Sequence, residues 1–452
     1  MVVTSGEPAA PRRQRLIPVL PRPTWAVLGG DFLSAVGTGL TLPCLFIYAH
    51  QVRQLSYGEA GLVLSTIAFA SLAGNPLGGA AADRWTPRRA LIVGLLVAAA
   101  GSVALAAAHS VLELFGAAAV SGLGVSIIWP VQDALLAGLA GPQSRSAVFS
   151  VGHTCLNAGF GLGALGSAAI VSVGHPGTFT VVFLADAGTY LLPIVILARL
   201  RLPGPAPADA DQQESGTTVP DRGYRSVLKD KAFVRVWLLT ALIATVSFGQ
   251  FQSSFAGFTT RPGGISTHEL ALAYAANMLT VVVAQLFVLR WLSGRRRTTG
   301  AALAALAWAA SWIITVIGGN LGGGIAAGVA FAAAMVVFAI GETMMSPTLP
   351  AIVNDLAPAG SQGRYNGLGV LAFTTGFLLG PAVGGAALGA GWGSELFAVI
   401  AVVCVLASLG ALRLARHLPA SANLVTTGAA SESSPPADPV SRSPADPRAA
   451  SG

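Results

Sequence analysis

The stretch Gly79-Ala-Ala-Ala-Asp83-Arg84-Trp85-Thr86-Pro87-Arg88-Arg89 closes one long apolar run, and another opens at once in Ala90-Leu-Ile-Val93. One acid and three arginines fall within the seven residues 83–89. A polytopic membrane protein places such a cluster where a short loop turns the chain back into the bilayer, because basic loop residues stay on the cytoplasmic side. The composition agrees. Only 10% of the 452 residues are charged and 53% are hydrophobic, whereas a soluble domain carries roughly 25% charged residues. Mean hydropathy is +0.68.

Outward from this loop, twelve runs approach the ~20 apolar residues that a helix needs to cross a bilayer. They cover 25–48, 57–81, 89–108, 111–140, 147–173, 178–198, 233–258, 269–292, 299–318, 322–352, 365–390 and 394–414. With both termini cytoplasmic, 24 of the 26 lysines and arginines lie on the inner side, and Arg53 and Arg261 fall outside. One helix more or fewer would scramble this alternation. The net charge of +7 is therefore a property of topology and calls for no nucleic-acid partner. Residues 1–24 form a basic, Pro-rich cytoplasmic tail leading into a full-length span, without the short apolar region and small-residue cleavage site of a signal peptide. Residues 415–452 read as a cytoplasmic tail, rich in Ser, Pro, Ala and Asp, with the composition of a disordered segment. Cys44, Cys155 and Cys404 are scattered through separate spans, which suggests neither a disulfide framework nor a metal site.

The polar stretch 199–232 is the one long interruption, and it divides the chain into six spans at 25–198 and six at 233–414. The halves echo each other. Pro130 and Pro347 lie 217 residues apart, as do Gly159 and Gly376, and Gly163 and Gly380. Arg84-Trp85 before the third span also matches Arg290-Trp291 before the ninth. The expected fold is an all-α polytopic membrane protein of twelve transmembrane helices in two six-helix bundles. Tandem repeats of this kind build secondary transporters, with the solute path between the repeats. Glycine-rich runs such as Gly159-x-Gly161-x-Gly163 lie inside an apolar span and let helices approach closely. They are not nucleotide loops, and no ATP-binding motif accompanies them. A membrane enzyme finds no supporting constellation.

Three stretches carry a family likeness: Gly79–Arg89; Gly376-Phe-Leu-Leu-Gly380-Pro381-Ala-Val-Gly384-Gly385; and Gly341-Glu342 through Pro347 with Gly363-Arg364-Tyr365. In these the chain resembles the major facilitator superfamily, and within it the bacterial twelve-helix drug:proton antiporters. The resemblance implies a cell-membrane carrier that acts as a monomer and needs no cofactor, with protons and a small molecule as its ligands. It implies that the second-to-third-span loop, with Gly79, Asp83, Arg84, Arg88 and Arg89, acts as a gate. Asp133, near the inner end of span 4, is the expected partner of Arg88 or Arg84. The sequence departs from the family at Thr86-Pro87, where the family has a glycine and a basic residue. It departs again at Ala118-Ala-Val-Ser121-Gly122-Leu-Gly124, where the arginine that the family links to proton coupling is absent.

An ionised carboxylate near the bilayer centre costs about 2.5–3.5 kcal/mol on insertion scales. Asp31, Asp186 and Glu342 nevertheless lie inside spans, without a Lys or Arg at similar depth. A carboxyl group kept neutral in hydrocarbon can release its proton when water enters, so all three are candidate proton carriers. His153 is a fourth, since its ring titrates near neutrality. The plain alternative for each is a side chain hydrogen-bonded to a neighbouring helix. Asp31, Ser34, Thr38 and Thr41 share one helical face through steps of three and four, a polar stripe suited to a wet cavity. Phe331, Met335, Phe338, Glu342 and Met345 form a softer stripe around an acid, suited to lipophilic cations because Met adapts to varied shapes; for its Met and Phe positions taken alone, helix packing is the somewhat better explanation. Asn157, one turn from His153, together with Gln250 and Asn277, completes the candidate substrate contacts. The expected function is proton-coupled export of small lipophilic or cationic compounds by alternating access. The alternatives are a carrier of a specific metabolite or sugar and a non-transporting sensor on the same fold.

Overall fold

In a computed structural model the described residues are 20–42, 44–139, 145–200, 224–358 and 361–424. They form twelve long helices: α1 (Arg22–Thr41), α2 (Tyr57–Arg84), α3 (Pro87–Ala107), α4 (Val111–Leu139), α5 (Arg145–Ile170), α6 (Gly177–Arg199), α7 (Lys231–Val246), α8 (Thr267–Leu292), α9 (Arg297–Gly319), α10 (Gly324–Met345), α11 (Gln362–Gly389) and α12 (Gly393–Leu414). No strand occurs among the described residues. Eleven of the corresponding segments are long and apolar enough to cross a membrane. α5 is the exception, because His153, Thr154, Asn157 and its glycines dilute its hydropathy.

Three spans read as continuous are broken. α1 is followed by Leu45–Ile47 and a π-helical turn Tyr48–Val52. α7 is extended by Phe248–Phe251 and Ser254–Thr260, with Ser247 and Ser253 at the breaks. α10 resumes as Leu349–Leu356 after Pro347, whose ring cannot continue the hydrogen-bond ladder. Backbone irregularity inside a membrane is tolerated where protein encloses it. Helix starts are also specified locally. Ser56 and Glu59 form a reciprocal capping box at α2, and Ser266 and Glu269 one at α8, each satisfying two otherwise orphaned amides.

The packing has an internal twofold. Within the first half α1 packs on α5 and α6, α4 on α2 and α3, and α3 on α6. Within the second half α7 packs on α11 and α12, α10 on α8 and α9, and α9 on α12. The glycine pairs spaced by 217 residues occupy matching places. A Cβ at Gly159 would lie 2.6 Å from Ala35 Cβ on α1, and one at Gly376 would lie 2.4 Å from Ala244 Cβ on α7. Gly376-x-x-x-Gly380-Pro381 therefore lies on the helix that corresponds to α5.

The halves meet through α2 against α11 and α5 against α8. The Ser65 hydroxyl donates to Leu378 O at 2.7 Å, His268 Nδ1 to Ala168 O at 2.7 Å, and Gln51 Nε2 to Thr260 Oγ1 at 3.0 Å. These contacts cluster where α2 and α8 begin and where α5 and α11 end. That end, opposite the start of α1, is the closed end of the molecule.

Candidate functional site

A cavity with a volume of about 240 Å³ lies within the first half, between α1, α4, α5 and α6. Helix periodicity brings Asp31, Ser34 and Thr38 to it from one face of α1. Trp129, Gln132 and Asp133 come from the last turns of α4, His153 and Phe160 from α5, and Tyr190 from α6. Asp31 is 7% exposed, and its carboxylate accepts a hydrogen bond from the side-chain amide of Gln132. Trp129 and Asp133 are exposed at its rim. Two carboxyl groups thus share the cavity, and among the described residues no lysine or arginine lines it.

The polar stripe of α1 is held against α6. Thr38 Oγ1 lies 3.1 Å from the Tyr190 hydroxyl, and the Ser34 hydroxyl donates to Thr189 O at 3.5 Å. His153 is exposed toward the cavity, with its Nε2 3.1 Å from the amide nitrogen of the buried Asn157, which also donates to His153 O at 2.9 Å. A fixed Asn157 amide makes Nε2 the accepting nitrogen.

Of the candidate residues, the structure brings together Asp31, Ser34, Thr38, His153 and Asp133. Asp186 lies behind the cavity wall, 4% exposed, accepting from Ser102 Oγ at 2.7 Å. Glu342, half-buried on α10, belongs to the other half with Asn277 of α8 beside it. Asn277 donates to Met335 O at 3.2 Å. Met335, Phe338 and Met345 are enclosed in the core of the second half. There Phe338 meets Trp308, Trp312, Phe248 and Phe251 at ring separations of 5.0–6.0 Å. The Met/Phe stripe thus packs helix on helix. Gln250 is likewise internal, donating to Gly380 O at 3.0 Å and accepting from Ser254 at 2.6 Å.

The expected pairing of Asp133 with Arg88 or Arg84 is replaced. Arg88 donates to Ala198 O at 2.7 Å and Leu200 O at 3.2 Å, satisfying carbonyls that the end of α6 leaves orphaned. Arg84 and Arg89 are exposed. The surroundings of Gly79 and the side chain of Asp83 lie outside what is described. In the second half Arg297, at the start of α9 as Arg88 is of α3, pairs with Asp355 and donates to Ala422 O at 3.0 Å. The segment expected to begin the C-terminal tail therefore continues as Ala415–His417 and Ala420–Asn423. It is held there by Arg297 and by Thr298 N donating to Asn423 Oδ1 at 3.0 Å.

Gln132, Trp129 and Tyr190 lie in no motif or polar stripe that marks them individually as site residues. Trp129-Pro130-Val-Gln132-Asp133 was nonetheless visible as a polar cluster inside an apolar run.

The two-part match to the Major Facilitator Superfamily, over residues 27–263 and 262–444, covers the whole transmembrane region. The chain belongs to this superfamily. It is a multi-pass membrane protein and a secondary transporter. It is 26% identical to the uncharacterized MFS-type transporter YttB of Bacillus subtilis, over 81% of this chain and 88% of that protein. It is also 26% identical to the multidrug resistance protein MdtH of Aeromonas hydrophila, over 80% and 86% of the two chains. Identity to the quinolone resistance protein NorA of Staphylococcus aureus is 21%, over 78% and 87%. Among solved structures a peptide transporter POT in complex with sulfate superposes with a TM-score of 0.72 at 18% identity, covering 88% of this chain and 95% of that one. This last likeness is one of fold.

Proposed function

We propose that this superfamily member exports small lipophilic or cationic compounds across the plasma membrane in exchange for protons. The carrying observation is the cavity itself, where Asp31 and Asp133 stand with Trp129, Phe160 and Tyr190 and, among the described residues, no Lys or Arg lines the wall. Aromatic faces and carboxylates attract a cation together, and aromatic contact alone contributes ~0.5–2 kcal/mol. In this reading Asp31 holds either a proton or the ionised form that attracts substrate, and competition for it couples the two fluxes. Both termini are cytoplasmic, so the closed end is extracellular and the cavity is reached from inside. Relatives named for multidrug and quinolone resistance support export of this class.

The second reading, a carrier of one polar metabolite such as a sugar, is less well supported because the cavity walls are mostly apolar. A screen of fluorescent cations, dyes and neutral sugars in inverted vesicles with an imposed pH gradient separates the two. Gradient-driven accumulation of lipophilic cations, abolished by a protonophore, is expected. Accumulation of sugars alone would replace the exporter reading with the second.

A further inference from the structure

Asp186 belongs to neither the cavity nor any ion pair, yet it is more deeply buried than Asp31. It sits where three helices meet. Its Oδ2 accepts from Ser102 Oγ of α3 at 2.7 Å, while Oδ1 is buried without a hydrogen-bond partner. On α1 the facing residue is Gly37, and a Cβ there would collide with both Asp186 Oδ1 and Thr189 Oγ1. The absent side chain lets α1 pack directly against Oδ1 and the Thr189 hydroxyl, so the orphaned oxygen is enclosed and water can reach it only when the two helices separate. Thr189 Oγ1 donates to Asp186 O at 2.7 Å, so its two lone pairs are left to accept. The titratable groups that face the carboxyl are Tyr190 on its own helix and Cys44 beyond the end of α1. α1 presents Gly37 and α3 presents Ser102, neither of which carries charge.

The position relative to Asp31 is as informative as the chemistry. Gly37 is six residues beyond Asp31 along α1, which at 1.5 Å per residue sets Asp186 about 9 Å closer to the closed end. The Thr38–Tyr190 hydroxyl contact stands in the wall between the two acids. One carboxyl is thus staged toward the open end and the other toward the closed end, in a single six-helix half.

We propose that Asp186, with Ser102 and Thr189, is a second proton-holding site, filled from the closed end when α1 and α6 part at Gly37. The site holds its proton on Oδ1 while Oδ2 keeps the Ser102 bond. On opening, the Oδ1–H bond breaks and the proton passes to an entering water molecule, leaving the carboxylate; no other bond changes. The proposal rests on the proton-coupled reading but is tested apart from it.

The test is infrared difference spectroscopy of the full-length protein in proteoliposomes across a pH titration, comparing wild type with Asp31→Asn, Asp186→Asn and Ser102→Ala. A neutral-carboxyl C=O band should persist in Asp31→Asn, vanish in Asp186→Asn, and move to higher frequency in Ser102→Ala, where its hydrogen bond is lost. The Ser102→Ala arm reads the site even where Asp186→Asn fails to fold. In the same vesicles Asp186→Asn should lower gradient-driven transport by about a hundredfold, as removal of a positioned proton carrier does, with Asp186→Glu restoring part of it. A band unchanged in both Asp186→Asn and Ser102→Ala overturns the proposal. So does a band bleached by sodium at constant pH, which would make the site a sodium site. A band that behaves as expected in a wild type without gradient-driven transport supports the site and removes the exporter reading instead.

Discussion

Asp31 takes its hydrogen bond from Gln132, whose side chain carries no charge. An amide can donate through Nε2 to an ionised carboxylate and accept through Oε1 from a neutral one, so this partner suits both states of a group that must cycle. An arginine there would favour the charged form alone. Gln132→Arg should therefore leave a folded protein whose gradient-driven transport falls at least as far as that of Asp31→Asn, about a hundredfold. Gln132→Glu should retain a larger share. Initial rates in inverted vesicles, normalised to protein inserted, check both, and wild-type rates in Gln132→Arg would refute the role. At this scale the sequence was half legible. The three- and four-residue steps of Asp31, Ser34 and Thr38 placed them on one face, and that face lines the cavity. Their partners Gln132 and Tyr190 are more than a hundred residues away, and no local pattern encodes such a pairing. The Phe331–Met345 stripe was read with the right period, but periodicity does not say whether a face turns toward solvent or toward another helix. Here it turns toward Trp308 and Trp312.

In the first half α1 and α5 are joined by close backbone approach. α5 lies so near α1 that a Cβ at Gly159 would be 2.6 Å from both Ala35 Cβ and Phe32 O. In lipid, where water adds no hydrophobic drive between helices, such contacts supply much of the association. Gly159→Val should therefore destabilise the first half by about 1–3 kcal/mol, the usual cost of overpacking. The readout is a lower unfolding midpoint in detergent, and an unchanged midpoint would mean that the α1–α5 contact yields freely. Gly138, with no atom within 4 Å of an added Cβ, is the control, and Gly138→Ala should leave the midpoint near wild type. The glycine spacing was legible as a packing signal, and its 217-residue recurrence correctly paired α5 with α11. The capping boxes at Ser56–Glu59 and Ser266–Glu269 are equally legible, each a Ser-x-x-Glu spacing. Breaks after Val246 and Met345 were not legible beyond Pro347, because an apolar run has the same hydropathy whether its helix is continuous or bent.

For the whole molecule, the twofold packing pattern and the closed end determine what must move. Alternating access requires the α2–α11 and α5–α8 contacts to separate while the opposite end closes. Among the described residues few side-chain hydrogen bonds bridge the halves, and Gln51 to Thr260 at 3.0 Å is one of those at the closed end. Six-plus-six organisation was legible from charge alternation and from the linker at 199–232. Which end is shut was not, since conformational state is a property of contacts between halves and not of either half. That contact gives a direct test. In a background with Cys44, Cys155 and Cys404 replaced by alanine, Gln51→Cys and Thr260→Cys can be joined by a short bifunctional methanethiosulfonate. Joining them should arrest gradient-driven transport, and dithiothreitol should restore it, while each single variant stays insensitive to the reagent. The locked protein should still admit a lipophilic cation to the Asp31 cavity from the open end, measured as quenching of Trp129 fluorescence against a Trp129→Phe control. Continued transport by the cross-linked protein would mean that this end does not open in the cycle, and the cavity would then have to exchange its contents by another route.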